Sequence, residues 1–322
     1  MFKRQDWVTL AEILKPEGGR QTRPAVHGNQ VSLIPVASEV PGYLGSYRLL
    51  NVVHTGQASQ IWQAYHDGKQ QWFGVKTLLQ KARGDREHLG YLRWEYLVGQ
   101  KVVHDRIVQI CEFGFDRGSP YLAMEWFPAQ NMKHMIQRKT DKSAHLVPKI
   151  IEQAAEGLSH FNEMGWVHRD VKPDNFLVTD EGDVKLIDFA LARRCSRGLA
   201  RFLGPKSRVQ GTRSYMAPEQ IRGGPVDQRA DVYSFGCTVY ELVSGKPPYT
   251  GVSADELLMK HLRATPPSLE AVAKNVTPEF GQLVRRTLAK DPAARPQSIS
   301  DFLVEFRMNR VFKTAPQAPP DA

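Results

Sequence analysis

Cysteine is scarce in this chain: Cys111, Cys195 and Cys237 are the only three in 322 residues. Three thiols so widely spaced build neither a disulfide framework nor a zinc site, which agrees with a reducing compartment. Cys237 falls inside an apolar helical pattern and reads as core. Long hydrophobic runs are missing too. No segment has the ~20 apolar residues of a spanning helix, and the start, Met1-Phe2-Lys3-Arg4-Gln5-Asp6, has basic residues with no apolar stretch behind them. A cytoplasmic protein without membrane insertion is expected. Acid is also short, 34 Asp and Glu against 43 Lys and Arg, for a net charge of +9. Basic and aromatic residues are not interleaved and no nucleic-acid motif occurs, so this excess reads as a solvated surface with no nucleic-acid partner. The remaining composition, 41% hydrophobic and 24% charged, is that of a globular protein, and the length suits two packed cores with short extensions.

Residues 1–45 are punctuated by Pro16, Gly18-Gly19, Pro24, Gly28, Pro35 and Pro41-Gly42 too often for a long element, and form an extension. Strand-like runs follow at Tyr47 to Val53, Ile61 to Tyr65 and Trp72 to Lys76. A helix containing Tyr91, Trp94, Glu95 and Val98 comes next, then two more strands ending near Met124-Glu125-Trp126. Residues 46–127 thus make a small sheet-based lobe. From 128 to 310 the periodicity is helical: Val147, Ile150, Ile151, Ala154, Leu158 and Phe161 recur at three- and four-residue steps, giving one apolar face. Ser253 with Glu256, and Thr277 before Pro278, mark two further helix starts. Residues 311–322 read as a loose tail rich in Pro and Ala.

The chemistry concentrates in His168-Arg169-Asp170-Val171-Lys172-Pro173-Asp174-Asn175, followed thirteen residues after Asn175 by Asp188-Phe189-Ala190. Asp170 is a candidate base or orienter for an attacking hydroxyl, and Lys172 stands two residues on to neutralise a transferring group. Asn175 and Asp188 offer hard oxygen ligands, and Mg²⁺ takes one or two such ligands together with phosphate oxygens. Between them Asp183-Val184-Lys185-Leu186-Ile187 reads as a strand.

This stretch resembles that of the eukaryotic-like (Hanks-type) serine/threonine protein kinases of the bacterial type. The likeness extends over roughly residues 46–307 in family order. Phe73-Gly74-Val75-Lys76 is similar to the strand motif whose lysine contacts nucleotide phosphates. His104-Asp105-Arg106-Ile107, nine residues after Glu95, resembles the turn that follows the helix carrying that lysine's carboxylate partner. Gly211-Thr212-Arg213-Ser214-Tyr215-Met216-Ala217-Pro218-Glu219 resembles the peptide-docking end of the activation segment. Asp231-Val232-Tyr233-Ser234-Phe235-Gly236 resembles the helix that anchors the catalytic loop, and Asp291-Pro292-Ala293-Ala294-Arg295-Pro296 carries the arginine that pairs with Glu219.

The resemblance implies an α+β, two-lobed protein-kinase fold: a small antiparallel-sheet lobe with one main helix, and a larger, mainly helical lobe. It implies ATP as donor, Mg²⁺ as cofactor, and protein Ser or Thr hydroxyls as acceptors, the chain itself among them by autophosphorylation. The implied catalytic residues are Asp170, Lys172, Lys76 and Glu95, with Asn175 and Asp188 on the metal and Thr212 bridging Asp170 and Lys172. The nucleotide would meet Val53, Gly56, Ser59, Ile61, Gly74 and Lys76, and then Met124 as gatekeeper, backbone groups of Glu125 and Phe127, Asn131 near the ribose, and Leu177 under the purine.

Three positions depart from the family pattern. Where the phosphate-covering loop should carry three glycines, His54-Thr55-Gly56-Gln57-Ala58-Ser59-Gln60-Ile61 keeps the middle one, and tight wrapping needs glycine's freedom of approach. Ala190 replaces the glycine after Asp188-Phe189 and should restrict positive φ there. Gly99 stands where a bulky residue would stack with Ile110, Phe189 and His168. A gap behind the Glu95 helix is expected, unless the helix is rotated or Leu97 or Val98 fills the space, and an apolar group of the extension (Phe2, Trp7, Leu10, Ile13 or Leu14) could occupy it. The alternative function is a pseudokinase, a nucleotide-binding scaffold with little or no transfer; a small-molecule kinase would lack the docking segment. Between Asp188 and Glu219 stand Arg193, Arg194, Arg197, Arg201, Lys206, Arg208 and Arg213 with no acid. Acidic or phosphorylated partners are expected there, with Ser196, Ser207 and Thr212 as sites of autophosphorylation.

Overall fold

The computed structural model describes residues 42–138, 141–195 and 211–318. The apolar residues of the N-terminal extension, and Ser196, Arg197, Arg201, Lys206, Ser207 and Arg208, lie outside the described residues. The chain divides into two compact units, one of residues 1–92 and 113–123, the other of residues 93–112 and 124–322.

The first unit is built on a sheet. Its strands are β1 (Tyr43–Leu44), β2 (Tyr47–Thr55), β3 (Ser59–His66) and β4 (Gln71–Leu78), and helix α1 (Arg86–Gly99) begins in it. Strands β5 (Ile110–Asp116) and β6 (Ser119–Glu125) complete the sheet in the order β1-β2-β3-β4-β6-β5. The first four pair antiparallel. Aromatic and β-branched residues alternate along these strands, so one face can bury them. Tyr47, Ala64, Phe73, Val75, Tyr121 and Ala123 form that core. Tyr47 meets Phe73 and Tyr121 edge-on, with ring centroids 5.2 and 5.9 Å apart. The buried Thr77 Oγ1 donates to the Pro120 carbonyl at 2.9 Å, so this polar group costs little in the core.

The second unit is mainly helical. After β7 (Gln130–Asn131) and α2 (Met132–Arg138) comes α3 (Val147–Glu163), and each of the six periodic residues named for it is buried. Short strands β8 (Trp166–Val167), β9 (Phe176–Val178), β10 (Val184–Leu186) and β11 (Arg193–Arg194) pair as β7-β9-β10 and β8-β11. Then follow α4 (Pro218–Ile221), α5 (Gln228–Ser244), α6 (Ala254–Arg263), α7 (Leu269–Val272), α8 (Pro278–Thr287) and α9 (Ile299–Met308). Helix α5 is buried on every side from Ala230 to Leu242, with Cys237 in its core as expected, which makes it the central pillar. Asp227 caps it by accepting the Arg229 N–H. Ser253 and Thr277 cap α6 and α8 by accepting the N–H groups of Glu256 and Phe280, where the sequence places those helix starts. An aromatic file runs from Phe176 through Phe235 and Phe302 to Phe306, tying β9 to α5 and α9. No helix among the described residues is long and apolar enough to cross a membrane.

Behind α5 lies a buried polar knot. His261 shares a hydrogen bond between Nδ1 and the Tyr233 hydroxyl at 2.9 Å, and Lys290 Nζ donates to the Tyr249 hydroxyl at 2.7 Å. Burial, and then the Lys290 charge, hold the His261 imidazole down at about 4, against an ordinary 6.5. The unfolded chain therefore binds a proton between these values that the folded protein refuses, and stability is lost as pH falls from about 6.5 to about 4. The loss on acidification should reach about 3 kcal/mol from this residue. Urea unfolding at pH 7, 5.5 and 4.5 should show it, with a flatter profile in His261→Gln; parallel profiles would remove His261 as the cause.

Candidate active site

In the second unit the loop of residues 168–175 is hung from α5 by one carboxylate. Asp231 Oδ2 accepts the His168 backbone N–H and Asn162 Nδ2, both at 2.8 Å, and Oδ1 accepts the Arg169 N–H at 2.9 Å. Burial pushes the Asp231 carboxyl up, while these donors and His168 pull against it. Arg169 takes a left-handed backbone, φ 69°. Its carbonyl accepts the Gln220 side-chain amide at 3.0 Å, so the strained turn is held from both sides.

This suspension brings Asp170, Lys172, Asn175 and Thr212 together. Lys172 Nζ donates to Asp170 Oδ2 at 2.6 Å and to Thr212 Oγ1 at 2.7 Å, and the Thr212 N–H donates to Asp170 Oδ1 at 2.8 Å. Thr212 therefore bridges the acid and the lysine, as the resemblance implies. Asn175 Nδ2 is committed to the Asp170 carbonyl at 2.8 Å and to Oδ2 at 3.3 Å. Oδ1, a hard oxygen, is the Asn175 atom left to offer a cation. Asp188 follows β10, and the loop clasps the residue before it: the Ile187 N–H donates to the Asn175 carbonyl at 3.0 Å, and His168 Nε2 pairs with the Ile187 carbonyl at 3.2 Å. Asp188 too is left-handed, φ 67°. An amide oxygen and a carboxylate suit Mg²⁺, and no group of three or more His, Cys, Asp or Glu able to hold a softer metal occurs among the described residues.

Elsewhere in this unit Met124 is buried one residue before the end of β6. The Glu125 N–H is spent on the Gln109 carbonyl at 2.9 Å, and the Phe127 carbonyl accepts the Ala129 N–H at 2.8 Å. Glu125 Oε1 meets Lys185 at 2.7 Å. Asn131 Oδ1 accepts the His134 N–H at 2.8 Å, so that oxygen caps α2, a task the sequence did not reveal. Leu177 lies in β9 opposite Asn131 and Lys185. Glu95 is 2% exposed on α1.

In the first unit Ile61 stands directly across from Lys76, and Gln63 from Gly74. With alternate residues on alternate faces, Ile61, Gly74 and Lys76 share one face of the sheet. Val53, half exposed, sits at a register shift between Val52 and His54. The Gly56 N–H closes the loop by donating to the Ser59 carbonyl at 2.8 Å.

The gap behind Gly99 does not exist. A Cβ built on Gly99 would lie 2.7 Å from Ile110 Cβ. Helix and strand approach so closely that glycine is the residue the space allows, and neither Leu97, Val98 nor a segment from outside is needed. Phe189 stacks on Phe161 with centroids 5.4 Å apart and meets His168 at 6.1 Å. Sequence reasoning also missed a buried network: Lys133 pairs with Glu241, whose Oε2 accepts the Tyr215 hydroxyl at 2.5 Å. Burial, then the Glu241 carboxylate, push that phenol up.

Residues 47–305 match the protein kinase domain, and the chain belongs to that family. The family has the fold found here, a small lobe on an antiparallel sheet and a larger helical lobe, and it uses ATP with Mg²⁺. The serine/threonine-protein kinase PknL of Mycobacterium tuberculosis is 35% identical over 221 residues, 69% of this chain and 55% of its own length. PknA of the same species is 32% identical over 284 residues, 86% of this chain and 64% of its own. A probable serine/threonine-protein kinase, SCO3848 of Streptomyces coelicolor, is 29% identical over 81% of this chain and 39% of its own length. The chain thus spans just over half the length of PknL and just under two thirds of PknA.

The Gly99 contact sets an expectation. Gly99→Ala should overpack the Ile110 contact and lower stability by about 1–3 kcal/mol, and Gly99→Leu should cost more. Ile110→Ala should cost less in the Gly99→Ala background than in the parent, because it removes Cγ1, which a Cβ at residue 99 would meet well inside contact distance. Thermal melts of the five proteins (parent, both Gly99 variants, Ile110→Ala and the double alanine variant) decide it; a Gly99→Leu protein as stable as the parent would restore the gap.

Proposed function

We propose that the chain is a serine/threonine protein kinase acting from a catalytic domain at residues 46–310. The observation that carries the reading is the Asp170, Lys172, Thr212 and Asn175 constellation, in which Lys172, Thr212 and Asn175 each hydrogen-bond to Asp170 and Lys172 bonds to Thr212 as well. Its relatives' names support the acceptor class.

In this reading a substrate Ser or Thr hydroxyl donates its hydrogen bond to Asp170, which fixes the oxygen in line with the γ-phosphorus. The new oxygen–phosphorus bond forms as the bond to the β–γ bridging oxygen breaks, ADP leaves, and the hydroxyl proton passes late to Asp170. Lys172 meets the charge on the group in flight, and Thr212 keeps Lys172 and Asp170 in one geometry. Catalysis is then mostly positioning and electrostatics. Asn175 and Asp188 would hold Mg²⁺, which supplies charge neutralisation on the phosphates. The resemblance assigns Lys76 to the phosphates and Glu95 to that lysine; it assigns Ile61, Gly74 and Leu177 to the purine, the Phe127 N–H and the Glu125 carbonyl to its edge, and Val53, Gly56, Ser59, Met124 and Asn131 to the rest of the nucleotide. The loop around Gly56 wraps phosphate less closely than a three-glycine loop, since His54 and Ser59 carry side chains there.

Two finer points belong to the same reading. Free cysteines agree with a cytoplasmic site of action, where ATP is also found. Between Asp188 and Glu219 the lysine and arginine residues stand with no acid, which favours acidic or phosphorylated protein substrates and the chain itself as an autophosphorylation target.

Asp170→Asn and Lys76→Ala should each lower transfer from radiolabelled ATP at least about a hundredfold while the melting temperature holds, as loss of one preorganised contact does. Transfer retained in Asp170→Asn would assign the chemistry to another group; a wild type that binds ATP without transferring it would make the chain a nucleotide-binding scaffold. A peptide array should favour acidic residues around the acceptor, and preference for basic peptides would refute the charge argument.

A further inference from the structure

Between α1 and the start of the segment that follows Asp188 there is a contact that none of the motifs explains. Trp94, the neighbour of Glu95, donates its indole N–H to the Ala192 carbonyl at 2.8 Å, across 98 residues of chain. Ala192 is fully buried, and its own N–H donates back to the Phe189 carbonyl at 3.1 Å, so the accepting carbonyl ends a tight turn begun by Asp188 and Phe189. The indole is also gripped from its faces and edge. Its ring meets Trp166 at 78° with centroids 5.9 Å apart, and the Arg193 guanidinium lies 5.5 Å from its centroid. On the far side Arg194 lies 4.3 Å over Trp166 and donates to the Met164 carbonyl at 2.8 Å. The result is a stack in the order Arg193, Trp94, Trp166, Arg194, in which cations and aromatic rings meet in the geometry that attracts them. Its four residues come from α1, β8 and β11, and β11 is itself paired to β8 through Arg193 with Val167 and Arg194 with Trp166.

We infer that Trp94 is a positioning residue: its indole fastens residues 93–99 of α1 to the turn of residues 188–192, so that Glu95 and Asp188 are held as one piece. The inference rests on the kinase reading for its consequence in turnover, and on geometry alone for the coupling. A tryptophan meets both requirements of the site. The ring fills the space between Arg193 and Trp166, and the N–H satisfies a carbonyl at the end of a turn whose first residue is left-handed. Phenylalanine keeps the first and loses the second. The fastening needs no modification of the chain, because its donor and acceptor are an indole and a backbone carbonyl.

The test separates the N–H from the ring. Trp94→Phe and Trp94→Leu are compared with the parent and with Trp72→Phe, a half-exposed tryptophan of β4 outside this contact. Three quantities are measured: melting temperature, kcat and KM for ATP, and backbone hydrogen exchange. In Trp94→Phe the expected result is a kcat lower by about five- to twentyfold with KM within about twofold of the parent and the melting temperature nearly unchanged. Exchange should rise together in residues 93–99 and 188–195 and nowhere else. Trp94→Leu should fall further in all three, and Trp72→Phe should match the parent. Unchanged exchange in both segments of Trp94→Phe would overturn the coupling, as would a global rise in exchange with a fallen melting temperature, which marks plain packing. If the parent protein transfers no phosphate, the kinase reading fails, and the paired change in exchange still decides whether Trp94 is the fastener.

Discussion

One buried carboxylate organises the second unit. Asp231 is fully buried, and an ion taken so far from water is costly unless donors surround it. Here two consecutive backbone N–H groups and one side-chain amide do so, and each needs the carboxylate as much as it needs them. Remove the acid and the backbone N–H groups of His168 and Arg169, which set the turn into Asp170, lose their acceptor in the core, while Asn162 keeps the Trp166 carbonyl. The position of Asp170 therefore follows from a helix sixty residues further on. Because α5 is enclosed on all sides, the suspension point is among the most rigid places in the protein.

The same economy recurs at Arg295. Its guanidinium, with no exposed side-chain surface, meets both Glu219 oxygens at 2.8 and 2.9 Å and the carbonyls of Ala289 and Arg229 at 2.8 and 2.7 Å. A buried pair of this kind contributes little net stability against an apolar replacement, since desolvation offsets attraction. Its worth lies in register: a planar fork accepts one arrangement of the Glu219 segment. Thr212, seven residues before Glu219, is thereby delivered to Lys172. Asp231 fixes the loop, Arg295 fixes the segment that meets it, and Thr212 joins the two.

What the sequence made legible was what is local. Asp170, Lys172 and Asn175 lie within six residues, their spacing dictates their proximity, and the structure brings them together. Helix starts at Ser253 and Thr277 were readable for the same reason, since a cap acts over three residues. Misreadings and omissions are non-local. Gly99 looked like a hole because a missing side chain says nothing of what approaches it, and Ile110 approaches to contact. Trp94 looked like one more apolar residue of a helix because its acceptor is a backbone carbonyl, a group every residue carries. The Lys133, Tyr215 and Glu241 network joins three elements, and no periodicity connects them. Asn131 is the subtler case: a residue read for a ligand spends its oxygen on a helix end, a task equally suited to Asn.

Ala190 acquires a different meaning once the backbone is known. The glycine it replaces would be expected to carry a positive φ, yet the left-handed residue is Asp188, and the Ala190 N–H reaches back to Asp188 Oδ1 at 3.4 Å. Holding an aspartate in that region costs free energy, of order 1–3 kcal/mol, which the clasp on Ile187 and the burial of Phe189 offset. A glycine two residues on would widen the range of competing conformations for this turn, whereas alanine narrows it. The substitution therefore works with the Trp94 contact and not against the site: both restrict where residues 188–192 can go, one by removing alternatives and the other by fastening the arrangement that remains.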